Sequence, residues 1–190
     1  MGRRTKLDNG EPMDGQATTD GGAWLGTLMA RHERPLVRYA ARITGDVERA
    51  RDVVQDTFLA LLSTEHAPRD NHVAQWLFAV CRNRALDVIR KEKRMSNLSD
   101  AFANAQASRE GDPPATAERR ETYGRAVDAL ADLPDVQQEV VRLKFQNGFT
   151  YRQIAEITGR SASNVGFLLH TALTTLRRRL EARPGQAETA

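Results

Sequence analysis

Thr150 to Leu180 reads TYRQIAEITGRSASNVGFLLHTALTTLRRRL, and its punctuation decides the fold of the C-terminal half. Thr150 and Gln153 have the spacing of a capping box, in which the Thr side chain accepts a backbone N–H and the Gln side chain reaches back to the cap. A helix opens there and buries Ile154 and Ile157, while the small Ala155 lets another helix approach closely. Gly159 supplies a turn, Ser161 caps the next helix, and Val165, Leu169, Ala172, Leu176 and Leu180 form its apolar stripe. A short helix, a tight Gly turn and a longer helix make a helix-turn-helix, whose second helix enters a major groove. The opposite face of that helix carries Ser163, Asn164, Phe167, His170, Thr171 and Thr174. Asn reads adenine bidentately and Phe can meet a thymine methyl. The same face also reads as the solvated side of a helical hairpin, and the exposed aromatic weighs against that.

Working outward, Pro134 to Phe145 and Arg120 to Leu130 carry helical patterns, with Leu133-Pro134 as an entrance and Asn147-Gly148 as an exit. Before them SDAFANAQASREGDPPATA, Ser99 to Ala117, is small, polar and contains a Pro pair, so it reads as a linker. On its far side lies a second periodic region. Trp24, Leu25, Leu28, Met29 and His32 form one helical stripe, and Pro35 is placed to open another with Leu36, Val37, Ala40 and Ile43. Gly45-Asp46 reads as a stop and a cap. Ala50, Val53, Val54, Thr57, Phe58, Leu61 and Leu62 then trace an amphipathic helix, and a long helix follows from Val73 to Arg94. No strand-length window alternates apolar and polar residues. The expectation is an all-α chain of two small helical domains, four helices each, at residues 23–95 and 120–183. A disordered arm at 1–22 precedes them, a flexible linker at 96–119 joins them and a tail at 184–190 follows.

Composition narrows the function. The chain has 190 residues, a mean hydropathy of −0.56 and no apolar run near the ~18 residues of a membrane span. No apolar core follows the basic start, so a cytoplasmic protein without membrane insertion is expected. The single Cys81 forms no internal disulfide, and it reads as a buried small residue. His32, His66, His72 and His170 are dispersed, so neither a metal site nor a catalytic constellation is visible, and no enzyme or cofactor is expected. The net charge of +3 averages opposed segments. Arg82 to Arg94 has six basic residues against two acidic ones, and Thr150 to Arg183 likewise six against two. Asp46 to Glu65 has five acidic residues against two basic ones, which repels DNA and suits a protein partner. On the basic helix Trp76, Asn83, Asp87 and Arg90 share a face able to hold phosphates and exposed bases. Trp76 taken alone is a core residue.

These blocks are recognisable. DVERARDVVQDTFLALL (Asp46 to Leu62), followed by WLFAVCRNRALDVIRKEKR (Trp76 to Arg94), resembles region 2 of the extracytoplasmic-function sigma factors of the sigma-70 family. The segment Leu130 to Leu180 resembles their region 4, and the likeness spans about Trp24 to Arg183. It implies a factor that directs core RNA polymerase, through its β′ and β subunits, to promoter DNA. Asp52, Val53, Gln55, Asp56 and Phe58 would dock on the β′ clamp, with Phe58 open to a core role. Trp76, Arg82, Asn83, Asp87, Arg90 and Lys91 would read and open the minus-ten element, and the loop Ser63 to His72 would hold an unstacked base. Thr150, Arg152, Arg160, Ser161, Ser163, Asn164, Phe167, His170 and Thr171 would bind the minus-thirty-five element. Gly166, Phe167, Leu168 and Thr171 depart from the family's small and basic residues, so phosphate grip must lean on Arg152, Arg160 and the Arg177 cluster. An anti-sigma factor is an expected partner. The alternative is a helix-turn-helix regulator that acts at operators without core polymerase.

Overall fold

The structure is a computed structural model that describes residues 16–65, 68, 72–96 and 117–181. Seven helices account for the regular structure among the described residues. These are α1 (Gln16–Thr44), α2 (Val47–Ser63), α3 (Val73–Ser96), α4 (Ala117–Ala131), α5 (Asp135–Phe145), α6 (Tyr151–Thr158) and α7 (Ala162–Glu181). The first three pack on one another, as do the last four. The all-α architecture of two small helical domains expected from the periodicity is therefore present.

The N-terminal domain has three helices where four were expected. Pro35 does not open a new helix; it lies inside α1, which runs unbroken for 29 residues. A proline in a helix interior removes one backbone hydrogen bond and costs about 3 kcal/mol. Burial of Leu28, Leu36, Tyr39 and Ala40 on both sides of it offsets that cost. The helix also begins at Gln16, inside the stretch expected to be a disordered arm. Residues 1–15 of that arm, residues 97–116 of the linker, the middle of the Ser63 to His72 loop and residues 182–190 lie outside the described residues.

The turn between α1 and α2 follows the sequence closely. Gly45 adopts φ 72°, a left-handed conformation that favours Gly, and its N–H donates to the Ala41 carbonyl at 2.9 Å. Asp46 then caps α2, its Oδ1 accepting from the Arg49 backbone N–H at 2.8 Å. The core of this domain centres on Leu36, Leu77, Phe78, Cys81 and Ala85, all at most 1% exposed. Thr57, fully buried on α2, satisfies its hydroxyl by donating to the Val53 carbonyl at 2.7 Å.

In the C-terminal domain Val140, Leu143, Ile154, Val165, Leu169 and Ala172 form the centre. Full burial of each larger side chain contributes roughly 1.5–3 kcal/mol. The apolar stripe of α7 fades toward its end, where Leu176 is half-buried and Leu180 is exposed, so the expected core position at Leu180 is corrected. The two domains meet. Helix α3 packs on α6, and the Phe78 ring touches Phe149 edge-on with centroids 5.1 Å apart. Tyr39 on α1 extends the same stack, its ring centroid 5.2 Å from that of Phe78.

Candidate functional site

Three surfaces carry the residues singled out by sequence. The first is on α2. Because a helix turns ~100° per residue, Asp52, Gln55, Asp56, Leu59 and Leu62 fall on one side and Val53, Val54, Thr57, Phe58 and Leu61 on the other. The first set is exposed and the second buried. Val53, 3% exposed, is thus corrected from a docking contact to a core residue, and Phe58, 4% exposed, takes the core role left open for it; together they fix which face the acidic groups present. Leu62, expected on the apolar stripe, is corrected to the exposed side, where it joins the acidic strip with Leu59 at 60% and 55% exposure. Sequence reasoning missed Leu59, although the same helical spacing from Asp52 and Asp56 places it there. Asp56 also accepts from Arg84 on α3 at 3.4 Å, which anchors the edge of the strip to the basic helix.

The second surface is on α3. Asn83, Asp87, Arg90 and Lys91 are exposed, and Asp87 pairs with Arg90 one turn on. Arg49 of α2 binds Glu92 at 2.9 Å, so part of the acidic charge of α3 is engaged and its outward face is left basic. Trp76 is half-buried against the core, in line with the core reading of that residue taken alone.

Arg82 is not with its expected neighbours. Its Nε donates to Glu139 Oε1 at 2.8 Å and its Nη2 donates to Oε2 at 3.4 Å, a two-point pairing across the domain interface. The Tyr39 hydroxyl donates to the same Oε1 at 2.7 Å. Burial and the adjacent Glu139 carboxylate hold the Tyr39 phenol well above its ordinary value. Burial opposes the Arg82 charge, but the Glu139 hydrogen bond and charge outweigh it and raise the guanidinium's pKa. Nearby on α5, burial and the facing Arg42 pull Arg142 down to about 10. Glu139 and Tyr39 were missed because nothing in the spacing of residues 57 and 100 positions apart signals that they meet. Gln75 and Glu156 make a further polar contact between α3 and α6.

The third surface is the helix-turn-helix. The capping box is complete: the Gln153 N–H donates to Thr150 Oγ1 at 3.3 Å, and the Thr150 N–H donates to Gln153 Oε1 at 2.9 Å. Gly159 ends α6 at φ 67°. Ser161 caps α7, its Oγ accepting from the Asn164 N–H at 3.1 Å. With the helices fixed, Ser163, Asn164, Phe167 and His170 stand exposed on the outer face of α7, Phe167 at 68%, while Thr171 is half-buried. Arg152 is exposed and Arg160 half-buried. Tyr151 lies over the backbone of Gly166, where a Cβ would sit 3.7 Å from its ring, and the Lys144 ammonium stands 5.5 Å from the Tyr151 centroid. Arg179 is bound to Asp132 at 3.1 Å, which leaves Arg177 and Arg178 as the exposed members of that cluster.

Among the described residues, no grouping of His, Cys, Asp and Glu could hold a metal ion, and no helix is long and apolar enough to cross a membrane.

Comparison with known proteins divides the chain at the same place as the packing. Residues 28–95 match the family model of sigma-70 region 2, and residues 123–176 match that of sigma-70 region 4. The chain is 30% identical over 163 residues to the ECF RNA polymerase sigma factor SigL of Mycobacterium tuberculosis, covering 84% of this chain and 90% of the relative. It is 29% identical over 150 residues to the ECF RNA polymerase sigma factor SigM of Bacillus subtilis, covering 76% and 85% respectively. Among solved structures, the sigma factor RpoE in complex with the anti-sigma factor NepR from Bartonella quintana superposes with a TM-score of 0.62 at 22% identity. That match covers 88% of this chain and 98% of RpoE. CnrH, solved in complex with the cytosolic domain of CnrY, gives a TM-score of 0.57 at 24% identity, covering 89% and 95%. Both likenesses are of fold.

Proposed function

The chain belongs to the extracytoplasmic-function sigma factors of the sigma-70 family, and from that premise we propose how its surfaces divide the work of an RNA polymerase sigma factor. The strip Asp52, Gln55, Asp56, Leu59 and Leu62 on α2 docks on core polymerase, at the β′ clamp. An acidic edge beside two exposed leucines suits a protein surface and not DNA. The outward face of α3, with Asn83, Asp87, Arg90 and Lys91, takes the minus-ten strand, and Trp76 supports it from the half-buried side. The helix-turn-helix takes the minus-thirty-five element. There Ser163, Asn164, Phe167 and His170 face the groove, and Thr150, Arg152, Arg160, Ser161 and Thr171 frame it. In this division residues 23–95 and 120–183 are the working domains. The protein acts in the cytoplasm, with no catalytic step of its own.

Arg82 has a conditional place in this reading. Its guanidinium is held by Glu139 while the domains are together, so it becomes available to a phosphate only when they part. Parting is also what promoter binding demands: the two elements lie ~70 Å apart, about two turns of DNA. RpoE and CnrH were solved with NepR and CnrY bound. By analogy an anti-sigma factor is assigned to this chain as the partner that keeps it from polymerase.

The observation that carries the proposal is the exposed acidic and apolar strip of α2 on a helix whose other face is fully packed. Pull-down of core polymerase by the full chain, followed by run-off transcription, tests it. The wild-type chain should retain core enzyme and direct transcription, and Asp52→Ala with Asp56→Ala should lose both while circular dichroism is unchanged. Equal retention by both forms, or none by the wild type, overturns the docking assignment.

A further inference from the structure

The outer face of α7 has an unusual chemistry for a groove-reading helix. From Ser161 to Leu176 the sequence contains no Lys, Arg, Asp or Glu. The commonest specific base contact, a bidentate Arg or Lys on guanine O6 and N7, is therefore not available from the reading segment of this helix. What stands there is Asn164, exposed, with its backbone N–H held by the Ser161 cap, and Phe167, 68% exposed one turn later. Phe167 takes no part in the hydrophobic core. In the major groove the thymine C5 methyl is the apolar group that a base edge offers to an aromatic side chain, and adenine is the base that Asn pairs with on two points. Three helical residues rise ~4.5 Å, close to the ~3.4 Å between stacked base pairs. One turn apart on the exposed face, Asn164 and Phe167 are spaced to meet the same or adjacent steps. Beside Phe167, Tyr151 lies against the helix at Gly166, where a Cβ would meet its ring at an ordinary contact distance of 3.7 Å.

We propose that this factor reads its minus-thirty-five element through an A·T step, with Phe167 packed on a thymine methyl and Asn164 bridging the neighbouring adenine, and without a guanine contact from α7. The inference rests on the sigma reading above and names the base chemistry of that same site. Charge for holding the phosphates comes from outside the reading segment, from Arg152, Arg160 and the exposed Arg177 and Arg178.

The test uses holoenzyme assembled from the full chain and core polymerase. Transcription from a library randomised at the minus-thirty-five position yields the preferred element, which is then remade with single thymines replaced by deoxyuridine, a change that removes only the methyl. One such replacement should weaken binding by the wild type about fourfold, the effect of one buried methyl. Phe167→Ala should bind the thymine and uracil forms alike, and Phe167→Leu should keep part of the difference. Replacing the adjacent adenine by 7-deazaadenine should cost the wild type about fivefold and Asn164→Ala nothing further. Indifference of the wild type to every thymine methyl, an equal uracil penalty in Phe167→Ala, or a selected element read through guanine would overturn the proposal. Absence of transcription from every library member would instead overturn the sigma reading on which it rests.

Discussion

Cys81 illustrates how a single residue's surroundings decide its chemistry. It is fully buried on α3, and burial pushes its thiol up to about 12 against an opposing hydrogen bond with Thr57. The thiolate is the reactive form. From an ordinary value of 9.0, a rise to about 12 lowers the thiolate fraction near pH 8 about a thousandfold. Iodoacetamide at pH 8 should therefore leave the folded protein unmodified over hours and label it within minutes in concentrated urea, as followed by intact mass. Rapid labelling of the native chain would show that α3 opens locally. Placing Cys81 in an apolar stripe needed only the sequence. The same logic separates Val53 and Phe58 from Asp52, Gln55 and Asp56, because a family motif marks positions while helical angle decides which side chains face out. Arg82 was not legible in this way. Its spacing from Asn83 and Arg90 is compatible with a DNA-facing side, and only the approach of Glu139 from α5 ties it into the domain interface.

At the scale of the element, the helix-turn-helix was readable almost completely, because its boundaries are set by local chemistry: Thr150 with Gln153, Gly159, then Ser161. Each feature acts within four residues, so no tertiary knowledge was required. Pro35 shows the opposite case. Its local preference is for a helix start, yet α1 continues through it because packing against α2 and α3 fixes both flanks. The weight of the local signal can be measured at Thr150. Thr150→Ala removes the oxygen that accepts the Gln153 N–H at 3.3 Å and should destabilise the C-terminal domain by about 1 kcal/mol. Urea unfolding should show a lower midpoint with an unchanged slope. Thr150→Ser, which keeps the acceptor, should recover most of the loss.

For the whole molecule, the decisive contact is the one between domains. Two halves joined by a chain of some twenty residues meet at an effective concentration in the millimolar range, so a modest interface is enough to hold them closed and a modest change is enough to release them. The contact combines the Phe78 and Phe149 rings, worth about 0.5–1.5 kcal/mol beyond their burial, with the Arg82, Glu139 and Tyr39 cluster, whose two charged side chains are 17% and 16% exposed. Arg42 facing Arg142 works in the other direction. From such a balance we expect a two-position equilibrium, and the contact is the part of the fold that sequence periodicity does not contain. Glu139→Gln keeps the shape of the side chain and removes its charge. Hydrogen bonds to charged groups contribute about 1.5–3 kcal/mol, so the closed fraction should fall by one to two orders of magnitude in its equilibrium constant. Small-angle scattering of the full chain should report a larger radius of gyration for Glu139→Gln, with helix content unchanged by circular dichroism. Because the pair is largely shielded from solvent, the wild type should stay compact as salt is raised. A wild type that expands with salt to match Glu139→Gln would place the holding force in exposed charges instead, and an unchanged radius in the variant would assign it to the aromatic contact alone.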